Sequence, residues 1–537
     1  MNISASIRKL TLLFVALFIG LSAGLVYWQV VVAQQVTSNP HNSRRFLNSN
    51  APIRGKIYDR NGVLLADSQP APNGGYVRHY YDPSLAGLIG YYVPGYATGI
   101  EAQYDDYLSG RKGLTALDNT INQTLHRPPV GDDIYLTIDE RIQKIVNQDF
   151  DTPIVIDNVN TFQSDRGSVI VTDPHSGEVL AMLSRPSFDP NQMVTTLSAN
   201  DFTYYNKLAA DTKENALKER PIQSTYVPGS TYKTMTLIAG LDTGSTSLNE
   251  EFDYAHAVGP INYNGHNIGP IGNNLGIGDP DPYTIHFPVT TEYGFTHSDN
   301  VMFAQIGVKT GAQQWLDYNK RFYVGSQIPF DLPVTPSSVE GQPFQDVNLA
   351  SGAFGQGYDL VTPMQMSVLD DAVANDGQLM RPMLVSRILD PNKTQIEKYD
   401  AQTLGSTPQM SQQTARSVRQ AMLGVVRCGS GSLNVVKLGT SPYTIIAKTG
   451  TAEVGGNQAA NSWLITQAPY SVTNPTVLPR LTIVAMKENA GEGGASTGPM
   501  ITNMYNDIFN NVIKLTAPTP PSVNYCCSTK LLQIGCP

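Results

Sequence analysis

Cysteine is scarce in this chain: four among 537 residues, with Cys526, Cys527 and Cys536 crowded into the last dozen. No disulfide framework can therefore hold the main body, whose core must stand on burial. Cys428 is expected as a buried or loop thiol and the tail cysteines as free, with Cys526 or Cys527 to Cys536 as the alternative. None of the eight histidines stands at a metal-ligand spacing such as His-x-x-x-His, so no metal or other cofactor is expected. There is no basic run and the net charge is only −9, which argues against a nucleic-acid partner. Internal repeats are absent, and low-complexity sequence is confined to two linkers.

Hydrophobic residues make up 41% and charged residues 15%, with many Gly and Pro, the composition of a folded, loop-rich protein. A chain of 537 residues exceeds what one core organises, so two or more domains are expected. From Leu10 to Val32 no charge interrupts an apolar run long enough to cross a bilayer as a helix. A signal peptide cleaved near Val31-Val32-Ala33 is the rival, though its apolar region should be shorter. Arg8 and Lys9 before the run, against Arg44 and Arg45 after it, leave the orientation open.

Beyond a polar linker from Gln34 to Asn50, Arg54 to Ala66 alternates around Asn61-Gly62, a two-residue hairpin signal. Ile134 to Ile138 reads as a strand and Asp139 to Gln148 as a helix. Ser168–Thr172 and Glu178–Leu183 form a second hairpin pattern around Asp173-Pro174-His175-Ser176-Gly177. Tyr443–Ala452, Ser462–Thr466 and Leu481–Met486 are three further strands, and the five together predict one antiparallel sheet. Helical sequence fills the middle, with a capping box and first-position proline in Thr362-Pro363-Met364-Gln365, and a last helix is expected from about Pro499 to Ile513. Strands at both ends of a helical middle imply an α+β fold with helices packed on a sheet.

Pro228-Gly229-Ser230-Thr231-Tyr232-Lys233 opens a helix-like stretch in which Ser230 and Lys233, three apart, share a face. Such a pair can serve as nucleophile and base, and a helix N-terminus there would stabilise an oxyanion. Taken singly, Ser-x-x-Lys reads first as a helix cap, since the motif recurs by chance and Ser is a common cap. Ser298-Asp299-Asn300 and Lys448-Thr449-Gly450-Thr451 alter that weighting, because the three motifs in this order form the signature set of penicillin-binding proteins and class A β-lactamases. In chemical terms Lys233 needs a depressed pKa, which the cation of Lys448 can supply. Ser298 can relay a proton to the leaving amine, and Asn300 can orient Lys233 and a substrate amide. Gly450 would let an extended peptide approach the strand edge, with the Thr449 and Thr451 hydroxyls on its carboxylate and the Thr451 N–H as a second oxyanion donor. His297, beside Ser298, and Trp463 are read as structural.

From about Arg54 to Ile513 the sequence resembles the class B penicillin-binding proteins. Besides the three motifs, Arg54-Gly55 through Asp59-Arg60-Asn61-Gly62, Gly99-Ile100-Glu101 and Leu136-Thr137-Ile138-Asp139 are similar to that family's N-terminal pedestal. Gly177 to Met182, Gly355-Gln356-Gly357 with Thr362-Pro363-Met364-Gln365, and Lys448 to Glu453 resemble its transpeptidase domain. The resemblance implies a cytoplasmic tail (1–9), a single membrane anchor (10–32), a linker and pedestal (33–165), a transpeptidase domain of the penicillin-binding/β-lactamase type (166–515) and a tail (516–537). It also implies an extracytoplasmic catalytic domain, D-Ala-D-Ala stem peptides of peptidoglycan as substrate, covalent inhibition by β-lactams and a SEDS-type glycan polymerase as partner. Its expected activity is D,D-transpeptidation through a Ser230 acyl-enzyme. A D,D-carboxypeptidase shares that intermediate and stays open, whereas a β-lactamase would need a Glu-x-x-Leu-Asn segment that is missing between Asn300 and Lys448. A catalytically silent wall scaffold is the reading from a different class, and retention of all three motifs argues against it.

Overall fold

The computed structural model describes residues 3–27, 53–71, 75–112, 115–116, 119, 129–156, 160–162, 164–258, 261–263, 266–268, 287–339, 346–431, 436–456, 458–516, 525–527 and 532–534. Ile3–Val26 is a helix, α1, on which Leu12, Phe14, Phe18 and Leu21 stand exposed. Among the described residues no helix is long and apolar enough to cross a membrane, and the expected span runs on to Val32, outside them.

Four strands near the N-terminus, β1 (Ile57–Tyr58), β2 (Leu64–Pro70), β3 (Tyr76–Tyr80) and β4 (Asp133–Leu136), belong to a mixed sheet of six. Val385–Leu389 pairs antiparallel with β4, and Gln395–Lys398 extends that edge, so the sheet joins sequence more than 240 residues apart. The predicted hairpin forms between β1 and β2, but its connection is the five-residue loop 59–63 rather than a two-residue turn. Asp59 is the reason: its Oδ1 accepts from the N–H groups of Asn61 and Val63, organising a wider turn that closes with Gly62 at φ +86.

Beneath this sheet lies a fully buried ionic cluster. Arg54 donates to Glu101 and Asp105, Arg78 donates to the other oxygen of Glu101, and the Arg54 guanidinium lies 3.8 Å from the centre of the Tyr92 ring. These pairs fasten the segment before β1 to β3 and to the short helices around Glu101 and Asp105.

The larger sheet has five antiparallel strands, as the sequence predicts: β5 (Gly167–Asp173), β6 (Glu178–Arg185), β7 (Ile446–Ala452), β8 (Asn461–Ala468) and β9 (Leu481–Lys487), in the order β6-β5-β9-β8-β7. β7 opens the chain's second visit to the sheet and pairs there only with β8, so it is an edge. Its strand starts three residues later than the pattern suggested, because Tyr443 is withdrawn to bond Asn510 and the Leu515 carbonyl and to pack on Phe509. Side chains alternate between two cores: Ile170, Met182, Trp463, Ile465 and Val484 face one, and Val169, Val171, Leu183, Leu464 and Ile483 the other.

Helices cover both faces. α2 (Glu140–Asp149), α3 (Lys233–Thr243), α4 (Asn300–Thr310), α5 (Pro363–Ala374), α6 (Gln412–Arg427) and α7 (Gly493–Asp507) are the principal ones. α2 starts one residue later than the predicted Asp139, because Asp139 caps it by accepting from Arg141 N–H. Thr362 caps α5 through Gln365 N–H, yet the reciprocal half of the predicted box is missing. The Gln365 amide is drawn away to the Phe322 carbonyl at 2.6 Å, and Thr362 N–H turns to Ser337 instead. α7 begins six residues ahead of Pro499, which it tolerates inside the helix, and runs on into a π-helical turn (Ile508–Ile513); of the apolar face expected there, Ile501, Met504, Tyr505, Ile508 and Phe509 are buried and Val512 only partly so.

Cys428 at the end of α6 is disulfide-bonded and not a free thiol. Only three other cysteines exist, so its partner within the chain is one of Cys526, Cys527 and Cys536, and Tyr525–Cys527 pairs with Leu532–Ile534 as a short hairpin. The expectation of a free tail fails because closing this bridge ties the segment to α6.

Glu101→Ala would leave the guanidinium groups of Arg54 and Arg78 buried without their shared counter-charge. A loss of about 3–5 kcal/mol is expected in guanidinium chloride denaturation, and an unchanged midpoint would contradict the anchoring role of the cluster.

Candidate active site

Three segments distant in sequence converge where α3, α4 and β7 meet. Gly229–Tyr232 forms a 3₁₀ turn that runs into α3, so Ser230 stands just before the helix rather than within it. In a 3₁₀ turn residues three apart eclipse, which is the registration Ser230 and Lys233 need. Gly229 sits at φ +57 with its N–H on the Gly355 carbonyl, and a Cβ on Gly355 would lie 1.9 Å from the Gly229 carbonyl oxygen. Glycine is thus required on both sides of that contact.

The Lys233 amine is wholly buried and touches four oxygens: Ser230 Oγ at 2.7 Å, the Ser298 carbonyl at 2.8 Å, Ser298 Oγ at 3.1 Å and Asn300 Oδ1 at 2.6 Å. Burial above all, then the charge of Lys448, holds its pKa well below the usual lysine value, against an opposing pull from Asp299. A neutral amine has two N–H donors and one lone pair. The Ser298 carbonyl and the Asn300 carbonyl oxygen can only accept, so they take the two donors, and the lone pair is left for the Ser230 hydroxyl proton. This is the geometry of a general base beside its nucleophile.

Lys448, also fully buried on β7, donates to Ser298 Oγ at 3.0 Å and to the Thr449 carbonyl at 3.1 Å, with the Phe295 ring centre 5.4 Å away. Burial lowers its pKa to about 7. The Ser298 hydroxyl therefore bridges two amines and can pass a proton between them and a bound group. Ser298 holds φ +64, a conformation costly for a residue with a Cβ and retained where the surroundings enforce it. The enforcement comes from Asp299, which caps α4 through Met302 N–H and whose carboxyl burial raises to about pKa 6.

All the residues singled out from the sequence thus lie together. Ser230, Lys233, Ser298, Asn300 and Lys448 form one hydrogen-bonded group, and Thr449, Gly450 and Thr451 flank it along the edge of β7. Two details differ from the sequence reading. A Cβ on Gly450 would meet Thr231 Cγ2 at 2.8 Å and Pro228 O at 3.1 Å, so the close approach this glycine permits is that of the Ser230 turn itself. The Thr451 hydroxyl accepts the Gly493 N–H at 3.1 Å, leaving only its own proton to offer.

Sequence reasoning missed Ser430, whose hydroxyl lies 2.6 Å from that of Thr449 and which enters from the turn after α6. The Gly-Ser-Gly run 429–431 marks a turn but carries no catalytic signature. His297 is a satisfied structural residue, stacked on Tyr293 at 3.9 Å with Nδ1 on the Tyr293 carbonyl. Trp463 is fully buried, donating to the Val227 carbonyl behind the Ser230 turn. Among the described residues no cluster of His, Cys, Asp and Glu could hold a metal ion.

Comparisons with known proteins agree with this arrangement. A family model described as the penicillin binding protein transpeptidase domain matches residues 167–511, and one described as the penicillin binding protein A dimerisation domain matches 54–134. The peptidoglycan D,D-transpeptidase PbpA of Mycolicibacterium smegmatis is 27% identical over 511 residues, covering 92% of this chain and 96% of its own. The peptidoglycan D,D-transpeptidase MrdA of Salmonella typhimurium is 26% identical over 443 residues, covering 78% and 67%. Among solved structures, penicillin-binding protein A from M. tuberculosis, as an imipenem acyl-enzyme complex, aligns with a TM-score of 0.71 at 26% identity, over 86% of this chain and 99% of that one.

The two amines give a pH test. Reactivity of Ser230 toward an acylating β-lactam should rise with pH as Lys233 loses its proton. Lys448→Met removes a positive neighbour that depresses the Lys233 pKa, so the rise should move to higher pH. Acylation rates measured across pH would show it, and an unmoved limb would exclude electrostatic coupling between the two lysines.

Proposed function

Since the chain belongs to the penicillin-binding protein transpeptidase family, and to its class B branch with a pedestal, we propose that it cross-links peptidoglycan stem peptides by D,D-transpeptidation through an acyl-enzyme on Ser230. The observation that carries this reading is the Lys233 amine, 2.7 Å from Ser230 Oγ with its N–H donors occupied by the Ser298 and Asn300 carbonyl oxygens.

Each residue then has a role. Lys233 takes the Ser230 proton as Oγ attacks the carbonyl of the D-Ala-D-Ala bond, and the N–H groups of Ser230 and Thr451 receive the developing oxyanion. Ser298, between Lys233 and Lys448, returns a proton to the departing D-Ala amine. Asn300 orients Lys233 and the peptide amide, while Lys448, Thr449 and Thr451 hold the terminal carboxylate, with Ser430 supporting Thr449. Gly450 keeps the Ser230 turn and the strand edge in contact. An amine of a second stem peptide attacks the ester, completing the cross-link. A β-lactam enters the first half of the same sequence and stays as a stable adduct.

We also place the catalytic part outside the cytoplasm, anchored by the apolar stretch Leu10–Val32. The exposed apolar side chains of α1 support that assignment, as they gain no burial from the rest of the described chain. A SEDS-type glycan polymerase is the partner proposed, on family likeness alone. Pedestal and transpeptidase domains are assigned to 33–165 and 166–515, with 516–537 as the tail.

Mass spectrometry after incubation with benzylpenicillin tests the central claim. A long-lived covalent adduct should map to the peptide containing Ser230 and be lost in Ser230→Ala. Rapid drug turnover would favour a hydrolase, and a folded protein without an adduct would overturn the acyl-enzyme.

A further inference from the structure

Beside the active site, past the end of β7, the surface opens into a hollow of about 280 Å³ that none of the catalytic roles uses. Its near wall is Tyr226, four residues before Ser230, whose ring packs edge-on against Trp463, the residue opposite Gly450 in the sheet. Val454, exposed three residues beyond Thr451, forms the lip. Three cations, Lys213, Lys218 and Arg220, line it against one carboxylate, Glu488.

Glu488 is already engaged. Its Oε1 accepts from Arg220 Nε at 2.8 Å and Tyr226 Oη at 2.7 Å, and Oε2 lies 3.5 Å from Arg166 Nε. The two lysines are left as the available charge. Lys213 has only Glu214, at 3.8 Å on an exposed side chain, and among the described residues no carboxylate lies within ion-pair distance of Lys218. In a chain whose net charge is −9, a hollow with surplus positive charge is selective for an anion.

The direction of the substrate connects this hollow to the reaction. With the terminal carboxylate near Thr449 and the scissile carbonyl at the N–H of Thr451, a donor peptide lying along the free edge of β7 runs antiparallel to it. Its upstream residues therefore pass Val454. Val454 stands two residues past the end of β7 at Ala452, so the residue before D-Ala-D-Ala, with its side chain, comes to the chain that forms the mouth of the hollow.

We infer that this hollow is a donor subsite in which Lys218, assisted by Lys213, binds a free carboxylate on the stem-peptide residue immediately upstream of D-Ala-D-Ala. The inference rests on the transpeptidase reading and adds a specificity to it: a donor bearing that carboxylate is preferred over one in which it is an amide.

The test compares two synthetic donors identical but for carboxylate or carboxamide at that position, followed by D-Ala release from the full-length protein in detergent. Wild type should favour the carboxylate donor in kcat/KM by about tenfold, the scale of one charge-assisted bond. Lys218→Gln should bring the ratio of the two donors close to one, and Lys213→Gln with Lys218→Glu should invert it. Lys207→Gln, at an exposed position that does not line the hollow, should leave the ratio as in wild type. Each variant is first shown to form the benzylpenicillin adduct, which certifies its fold and its nucleophile. Adduct formation with a ratio insensitive to Lys218 would overturn the subsite and leave the transpeptidase reading standing. A carboxylate preference that follows the acceptor peptide instead of the donor would overturn it equally. Wild type without adduct or D-Ala release would overturn both, and the absent adduct would identify the site itself as the point of failure.

Discussion

Everything in this active site depends on one buried amine. Lys233 must be neutral to act as a base, and neutrality is imposed by taking it out of water, with a second lysine beside it. Because an uncharged amine has only two protons to donate, the carbonyl oxygens of Ser298 and Asn300 decide where its lone pair points. In the proposed reaction Ser230 is activated by how the neighbours of Lys233 are satisfied as much as by proximity.

That requirement propagates into the fold. Holding a carbonyl and an amide oxygen against Lys233 needs Ser298 in a left-handed conformation ahead of α4, which the Asp299 cap secures. Bringing Lys448 to the same hydroxyl needs β7 pressed against the Ser230 turn without intervening side chains. Gly450 meets Thr231 and Pro228 there, and Gly493 packs onto Gly450 from behind, where a Cβ would come within 2.0 Å of its carbonyl oxygen. The edge of the sheet is thus clamped between the nucleophile turn and the first turn of α7. Its other side stays open for an extended peptide.

Remote parts of the chain serve the same end through rigidity. The two-sided core around the large sheet fixes β7 relative to α3, and buried carboxyls on α5 tie that helix to the strands: Asp371 accepts from Thr172 and Thr482, and Asp370 from Gln467. The smaller sheet borrows Val385–Leu389 from the sequence between the catalytic motifs, so pedestal and catalytic body share backbone hydrogen bonds. The Thr137 hydroxyl lies 2.7 Å from the Val179 carbonyl and 2.9 Å from that of Met383 and shares its one proton between them, joining the end of β4 to both.

Much was legible in the amino-acid order alone. Apolar, β-branched runs bounded by turn residues marked all five strands of the large sheet, the spacing of Ile501, Met504, Tyr505, Ile508, Phe509 and the half-buried Val512 marked the inner face of the last helix, and three short motifs named the residues that meet around Lys233. Those signals are local, set by strand and helix geometry or by chemistry that tolerates few substitutes. Tertiary contacts decided the rest. Gln365 abandoned its capping box for the Phe322 carbonyl, Tyr443 left the strand for Asn510, Cys428 entered a disulfide, and Ser430 reached Thr449. None of these has a local signature, because each side chain could bond equally well nearby or far away, and only the folded chain determines which partner is within reach.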